Sequence, residues 1–289
     1  MNISMYSAFS DTVKKEGIKK AAEVARNLGF DSVEFLDVQS RPPIIPDAST
    51  AREYRRVLED SGLSVSCFSF GLSIIDPADP TLSTEDAVNR LLFSAEMAAL
   101  LGSPYFHHTL ILNLSYDENS YVNDFGAITE RLLPHVRRVA RRCEELGITA
   151  LYEPQGFYVN GRERFPEFYR VIKVFCKNVG VCGDVGNPNF CDWKGEDFVS
   201  EMAAEIKHVH LKDYKIYPPE AELGGIRAYT SMKGARLSPV LLGEGDIDVS
   251  FCLDRLKDAG YNGALALEGE YRSMDEIRSD ISYLKALNK

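Results

Sequence analysis

Short apolar runs alternate along the chain with longer segments in which apolar residues recur every three or four positions. The first pattern is typical of buried strands and the second of amphipathic helices. Eight runs predict strands: Ile3–Ser7, Ser32–Phe35, Ser64–Phe70, Pro104–His108, Ile148–Glu153, Val179–Asp184, Ile206–His210 and Ala264–Glu268. Strands that alternate with helices in this way predict successive βαβ units and a parallel sheet.

Glycines mark the ends of the helical segments. Five segments stop at a glycine shortly before the next strand, at Gly29, Gly62, Gly102, Gly147 and Gly260. Glycine accepts the left-handed conformation at the end of a helix, and the short connection that follows returns the chain to the sheet. No Pro/Ser/Gly-rich linker divides the 289 residues. We therefore predict an α/β fold, a single (β/α)8 TIM barrel over residues 1–289.

Two connections are longer than ordinary barrel loops. Lys212–Gly245 follows the seventh predicted strand, and Leu110–Ser120 follows the fourth. Long connections without evident secondary structure are commonly lids or binding loops. Both should lie over the mouth of the barrel.

Four potential metal ligands end the last four predicted strands: Glu153, Asp184, His210 and Glu268. A parallel barrel gathers the C-terminal ends of its strands at one face, where its active site forms. Three carboxylates there would repel one another without a cation. This oxygen-rich set suits Mn²⁺ first, with Mg²⁺, Zn²⁺ or Co²⁺ as alternatives.

At three strand ends, two nearby residues are candidates for one position that faces into the barrel. His208 and His210 share one strand face, and the later one lies nearer the mouth, so His210 is the better ligand and His208 a deeper group or substrate contact. Glu268 directly ends its run and is preferred to Glu270. Only one of His107 and His108 can face inward, and we assign the substrate contact to His108. The only tryptophan, Trp193, either roofs the pocket or packs in the core.

Composition and charge limit the classes of partner that this protein is expected to bind. The formal net charge is −10, which disfavours a nucleic-acid partner. No apolar run approaches the ~20 residues that a membrane span requires. Six cysteines without a CxxC pair, and an N-terminus without a secretory pattern, predict a cytoplasmic protein. Arginine pairs at 137–138 and 141–142 indicate a solvated or subunit-facing helix, so a homo-oligomer remains open.

The motifs together resemble the xylose-isomerase-like sugar (phosphate) isomerase/epimerase family of TIM barrels. They are LGFDSVEF at 28–35, LYEP at 151–154, GDVGN at 183–187, HVHLKD at 208–213, LGEGDID at 242–248 and GYNGALALEGE at 260–270. The resemblance implies that Glu153, Asp184, His210 and Glu268 hold a divalent metal. It also implies that Glu153 and Glu268 are the catalytic acid/base pair.

Two positions depart from the ketose 3-epimerases of that family. Asn187 stands where those enzymes carry a histidine, and Val159 stands where they carry a glutamate. A DNA-repair endonuclease of the same fold needs more histidines than the five present. The expected substrate contacts are His108, Asn187, His208, Lys212, Trp193 and Arg227. Arg227 belongs to a basic scatter with Lys233 and Arg236 that either binds a substrate phosphate or is simply solvated.

The resemblance implies a metal-dependent isomerase or epimerase acting on a small sugar, sugar phosphate or related polyol ketone. One glutamate would remove a proton beside a carbonyl to form a cis-enediolate, and the other would return a proton. Two alternatives remain. A dehydratase of the same fold would expel a β-hydroxyl after the same proton abstraction, and a non-catalytic barrel would only bind a sugar.

Overall fold

The computed structural model describes residues 1–38, 43–71, 83–110, 125–156, 159–271 and 273–287. Its strands are β1 (Asn2–Met5), β2 (Ser32–Val38), β3 (Ser64–Gly71), β4 (Tyr105–His108), β5 (Thr149–Tyr152), β6 (Val179–Asp184), β7 (Ile206–Leu211), β8 (Asp213–Tyr217), β9 (Tyr229–Thr230), β10 (Arg236–Val240) and β11 (Ala264–Leu267). Eight of them form a closed barrel in the order β1-β11-β7-β6-β5-β4-β3-β2. All the barrel pairings are parallel, which confirms the predicted fold.

Helices surround the barrel. They are α1 (Phe9–Glu16), α2 (Ile18–Leu28), α3 (Ala48–Asp60), α4 (Thr84–Leu101), α5 (Phe125–Glu145), α6 (Arg164–Phe175), α7 (Gly195–Met202), α8 (Val249–Asp258) and α9 (Met274–Leu287). The glycine stops are confirmed at α2 and α4, whose C-caps Gly29 and Gly102 have φ of 87° and 81°. Each cap N–H bonds the last helical carbonyls, so the chain leaves the helix in a tight turn.

Strand alternation divides the residues of β2, β3 and β4 between two layers. Phe35, Phe68 and Phe106 stack in a row between the strands and the helices, with successive ring centroids 6.3 and 6.1 Å apart. The residues beside them point into the barrel. In register, Ser69 pairs with His107. Packing of the phenylalanines therefore fixes which polar side chains enter the barrel.

The connection after β7 is ordered, contrary to our expectation of a loop without secondary structure. Residues 213–240 form a three-stranded antiparallel sheet in the order β8-β10-β9. The buried Asp213 anchors it, because its carboxylate accepts the backbone N–H groups of Tyr214, Gly243, Gly245 and Ile247 at 2.8–3.2 Å. These contacts span 34 positions of sequence, so the local pattern did not reveal them. Of the other predicted mouth loop, residues 111–120 lie outside the described part of the chain.

Six of the eight barrel strands end one to three residues from the sequence prediction, whereas β4 and β6 end where predicted. β5 ends at Tyr152 and β11 at Leu267, so Glu153 and Glu268 lie just beyond their strands. β2 continues from Phe35 to Val38. Among the described residues, we find no helix long and apolar enough to cross a membrane.

Candidate metal centre

The four predicted ligands meet at the C-terminal mouth of the barrel. Parallel register places Asp184 of β6 beside His210 of β7, and the Glu268 N–H bonds the Leu211 carbonyl at 2.9 Å. Glu153 follows β5 on the other side of Asp184. One ligand atom from each of the four lies within 4.8 Å of the other three. Side chains from four strand ends thus surround a single point.

Asp184 is held by the turn that follows it. Its Oδ1 accepts the backbone N–H groups of Gly186 and Asn187, both at 2.7 Å. The carboxylate therefore cannot rotate freely, and Oδ2 faces the other ligands. Burial, aided by the Glu268 and Glu153 carboxylates, raises the pKa of Asp184 in spite of the nearby Lys212 ammonium.

His210 presents its two ring nitrogens to different partners. Nε2 lies 3.0 and 3.2 Å from the two oxygens of Glu34, deeper in the barrel. Nδ1 lies 3.2 Å from Glu268 Oε2, 3.7 Å from Glu153 Oε1 and 4.0 Å from Asp184 Oδ2. Burial opposes a charge on this ring, but contacts with Cys182, Glu34 and Glu153 outweigh it and raise the pKa of His210. Nδ1 is therefore the atom offered to an ion.

Glu153 is fixed through both oxygens. Oε1 accepts a 2.7 Å hydrogen bond from Asn187 Nδ2, and Oε2 lies 3.1 Å from His107 Nε2. Burial opposes ionisation, but hydrogen bonding to His107 and His210 holds the pKa of Glu153 well below its usual range. The carboxylate is therefore charged near neutral pH and oriented toward the cluster.

Lys212 contributes the positive charge beside these carboxylates. Its Nζ lies 2.8 Å from Asp184 Oδ2 and 2.9 Å from Glu268 Oε1, and it donates to Asn187 Oδ1 at 3.1 Å. Three carboxylates around one ammonium repel one another, which agrees with the raised pKa values of Asp184 and His210. A divalent cation would take the place of the extra protons, so the charge of the site fits a metal.

Buried atoms without hydrogen bonds support the same fit. Among the described residues, Asp184 Oδ2, His210 Nδ1 and Glu268 Oε2 are buried and make no hydrogen bond of regular geometry, although Asp184 Oδ2 has an ionic contact with Lys212 and His210 Nδ1 one with Glu268 Oε2. Buried polar atoms are normally satisfied, and three unsatisfied ones directed at one point are expected where an ion binds. Carboxylate oxygens and an imidazole nitrogen are ligands suited to Mn²⁺, Mg²⁺ or Zn²⁺.

The structure corrects the assignment of the histidine pair on β4. His107 points into the site, with its ring centroid 5.7 Å from that of His210. His108 points outward, stacks on Phe106 and contacts Tyr152 edge-on. Our choice of His108 as a substrate contact was wrong, because the alternation of β4 gives the inward position to His107.

Two further predicted substrate contacts lie away from the open site. His208 is fully buried below the cluster, and its Nε2 bonds Glu34 at 2.7 Å. Trp193 is 3% exposed and packs edge-on against Phe198 in the core. Neither position fits a contact with substrate, and the core-packing alternative describes Trp193.

The remaining predicted contacts divide between the cluster and its rim. Asn187 and Lys212 lie among the ligands, as described above. Arg227 is exposed and pairs with Glu270, which also accepts from Tyr229. Glu270 is thus turned toward the rim, whereas Glu268 faces His210 and Lys212. Val159, the second departure from the epimerases, is buried in the core.

Sequence reasoning missed the residues beneath the cluster. Glu34 is fully buried and contacts His208, His210 and Ser69. Tyr6 stacks on the His210 ring at a centroid distance of 4.6 Å. The sequence signal for Glu34 was a lone acidic residue inside an apolar strand, SVEF. An acidic residue in a strand is equally compatible with an exposed position, so this signal did not identify Glu34 as buried.

Comparisons with known proteins agree with this architecture. Residues 22–287 match the family model described as xylose isomerase-like TIM barrel. Many solved structures share the fold at low sequence identity, and three of them illustrate the range. A xylose isomerase-like TIM-barrel protein from Mycobacterium smegmatis, in complex with magnesium, is 17% identical, with a TM-score of 0.73 over 99% of this chain and 96% of that one.

The other two are named as enzymes. The D-psicose 3-epimerase of Clostridium cellulolyticum H10, solved with D-tagatose, is 16% identical with a TM-score of 0.73 over 99% of both chains. A probable 3-DHS dehydratase involved in petrobactin synthesis, from Bacillus anthracis, is 13% identical with a TM-score of 0.72 over 99% of both chains. At such identity these likenesses bear on the fold, while the family model covers most of the sequence. The chain therefore belongs to the xylose isomerase-like TIM-barrel family.

Proposed function

We propose that this protein is a divalent-metal-dependent isomerase or epimerase of a small sugar, sugar phosphate or related polyol ketone. The observation that carries the proposal is the convergence of Glu153, Asp184, His210 and Glu268 within 4.8 Å of one another at the barrel mouth. Family membership and the epimerase fold of one solved relative support it. Mn²⁺ is the proposed ion, with Mg²⁺ and Zn²⁺ as alternatives suited to the same donors.

The residues divide the work between binding and proton transfer. A bound divalent ion would supply Lewis acidity, which makes a C–H beside a carbonyl easier to deprotonate. Glu153, which is ionised and held by Asn187 and His107, is the proposed base that removes that proton. Glu268 would take up a proton from the Lys212 ammonium, 2.9 Å from its Oε1, and deliver it to the intermediate; Lys212 would regain a proton from solvent and Glu153 would release its own. Return to the same carbon from the other face gives epimerisation, and return to the neighbouring carbon gives isomerisation.

Lys212 favours a second candidate, a dehydratase of the same fold. Loss of a β-hydroxyl requires a proton donor for the departing oxygen, and the Lys212 ammonium lies within the site beside Glu268. Removal of the proton by Glu153 would be unchanged. Mass spectrometry separates the two reactions, because only the dehydratase releases a molecule of water from the substrate.

The six cysteines are all free, which supports our proposal of a reducing, cytoplasmic location. The proposed partner is a small carbohydrate.

The test is proton exchange with solvent. The purified protein is incubated with Mn²⁺ in D₂O and a panel of ketoses, sugar phosphates and polyol ketones, and deuterium beside the carbonyl is followed by NMR. We expect incorporation that stops when the metal is removed by a chelator. We also expect it to fall ~100- to 10,000-fold in Glu153→Gln, the usual effect of losing a general base. Glu130→Gln, an exposed glutamate on α5, is the matched control. Absence of metal-dependent exchange across the whole panel would contradict the proposal.

A further inference from the structure

Glu34 lies at the centre of a buried hydrogen-bond network below the metal cluster. Its side chain is fully buried on β2 and meets three polar partners from two other strands. Ser69 Oγ lies 2.6 Å from Oε1, His208 Nε2 lies 2.7 Å from Oε2, and His210 Nε2 lies 3.0 Å from Oε1. An ionised carboxylate only accepts hydrogen bonds, so all three partners must donate to it.

These donors set the orientation of His210. If Nε2 carries the proton donated to Glu34, Nδ1 is the nitrogen whose lone pair remains for an ion. Nδ1 is the atom that faces Glu268, Glu153 and Asp184. A carboxylate that accepts from a ligand imidazole fixes both its tautomer and its ring orientation. Glu34 occupies that position for His210.

Ser69 carries the same network to the other side of the site. A serine hydroxyl has one proton, and Ser69 donates it to Glu34. The same hydroxyl oxygen lies 3.0 Å from His107 Nδ1, so Ser69 also holds the His107 ring. His107 is then oriented with Nε2 toward Glu153 Oε2, 3.1 Å away. Three side chains, those of His107, Ser69 and Glu34, thus link Glu153 to His210 through the barrel interior.

We propose that Glu34 and Ser69 are positioning residues that orient the two halves of the site from below. Glu34 orients the ligand His210, and Ser69 orients His107 against the base Glu153. The inference rests on the proposed function for the roles of Glu153 and His210. Glu34 and Ser69 themselves are assigned neither as metal ligands nor as bases. It predicts that a change at Glu34 weakens metal binding, whereas a change at Ser69 slows proton transfer without weakening metal binding.

The two substitutions should have different signatures. Glu34→Gln removes the negative charge and puts an amide N–H₂ in place of one of the two oxygens that His210 Nε2 contacts, so the His210 ring is held less firmly. We expect Mn²⁺ affinity to fall ~10- to 100-fold, with solvent exchange largely recovered at saturating Mn²⁺. Ser69→Ala leaves the Glu34–His210 contact intact. Its Mn²⁺ affinity should stay within about twofold of wild type, while exchange at saturating metal slows ~10-fold or more because Glu153 loses its oriented partner.

Ser66→Ala is the matched control for Ser69→Ala. Ser66 is a buried serine on the same strand, but its hydroxyl bonds Ser4 and the Val33 carbonyl and is separate from Glu34. It should change neither affinity nor exchange. Circular dichroism and urea unfolding verify that every variant is folded. If Glu34→Gln does not fold, Glu34→Asp replaces it, with the same expected direction because the shorter side chain cannot reach all three donors.

A readout without turnover keeps this inference separate from the proposed function. In protein supplied with Mg²⁺, buried imidazole N–H protons are followed by NMR. We expect the His210 Nε2–H signal to shift or vanish in Glu34→Gln, and the His107 ring N–H signal to do so in Ser69→Ala. If wild type shows no solvent exchange, the proposed function fails, while Mn²⁺ affinity and these signals still decide the positioning roles. Folded variants with wild-type affinity and unchanged signals, or a Ser69→Ala variant that weakens Mn²⁺ as much as Glu34→Gln, would overturn the inference.

Discussion

Single carboxylates in this site use their two oxygens for different purposes. Asp184 gives Oδ1 to two backbone N–H groups and directs Oδ2 at the other ligands. Glu153 gives Oε1 to Asn187 and brings Oε2 to His107. An amide in place of such a carboxylate can keep one contact and still lose the charge. An amide substitution therefore tests the charge of a carboxylate separately from the hydrogen bonds that hold it in place.

The two glutamates after β11 should respond differently to this change. Glu268→Gln removes a charge that faces His210 and Lys212, so we expect bound Mn²⁺ to fall together with turnover, by ~100- to 10,000-fold for the lost acid or base alone. Glu270→Gln alters only the rim contact with Arg227 and Tyr229, and it should keep its metal and lose ~10-fold in turnover or less. Turnover and bound metal are measured on both. If Glu270→Gln strips the metal while Glu268→Gln retains it, the assignment is reversed.

His108 gives a pH-dependent prediction about stability. Burial lowers its pKa from 6.5 to about 4, so the folded protein holds this ring neutral. The unfolded chain takes up the proton below its own pKa, and this contribution to stability is therefore lost as the pH falls from the higher value toward the lower one. We expect a loss of about 2 kcal/mol from this residue between about pH 7.5 and about pH 5.

Urea unfolding of wild type and His108→Asn at both pH values tests this. Other groups titrate in both proteins, so the difference between them isolates residue 108. Wild type should lose more stability on acidification than the variant. Equal losses in the two proteins would mean that His108 is not held neutral.

Among the elements, the packing of α7 against the end of β6 determines where Asp184 lies. Gly195 begins α7 directly against the Val185 backbone, one residue beyond Asp184. A Cβ at this position would fall inside contact distance of the Val185 carbonyl oxygen. Because backbone atoms cannot swing aside as a flexible side chain can, β6 or α7 would have to move.

Gly195→Ala should therefore destabilise the protein by about 1–3 kcal/mol and weaken Mn²⁺ binding. Gly126→Ala is the matched control, because a Cβ on Gly126 in α5 meets no atom within 4 Å. It should be neutral or stabilising by up to about 1 kcal/mol, the difference between the two residues within a helix. The free energies of unfolding in urea are compared. A Gly195→Ala protein as stable as wild type would refute the packing argument.

The local sequence pattern was enough to predict the strands and helices, but not the direction in which every side chain points. Apolar runs and glycine stops gave all eight barrel strands, because burial on both faces and a left-handed C-cap leave direct traces in sequence. The choice between His107 and His108 depended on which neighbour lies under the row of phenylalanines, which strand pairing decides. The sheet of β8, β9 and β10 depended on contacts between Asp213 and residues about thirty positions away. Such long-range contacts have no local signal.

At the scale of the whole molecule, the barrel places carboxylates from three strand ends at one point of an already acidic protein. The chain carries a formal charge of −10, and among the described residues these three carboxylates lie beside the ammonium of Lys212. The folded state tolerates this repulsion because packing of the barrel and its helices fixes the strand ends. A divalent cation that binds only the folded state offsets the repulsion and stabilises the protein, by about 2.7 kcal/mol at a hundred times its Kd.

Mn²⁺ titration of wild type and Asp184→Asn, followed by electron paramagnetic resonance, tests the metal centre most directly. Asparagine keeps an oxygen for the Gly186 and Asn187 N–H groups, so the turn is preserved while the ligand oxygen Oδ2 is replaced. We expect one saturable ion per wild-type chain. In the variant we expect an affinity more than ~100-fold lower, beyond the effect of losing a group that only supports a ligand. Equal Mn²⁺ binding by the two proteins, or no saturable binding by wild type, would contradict the account.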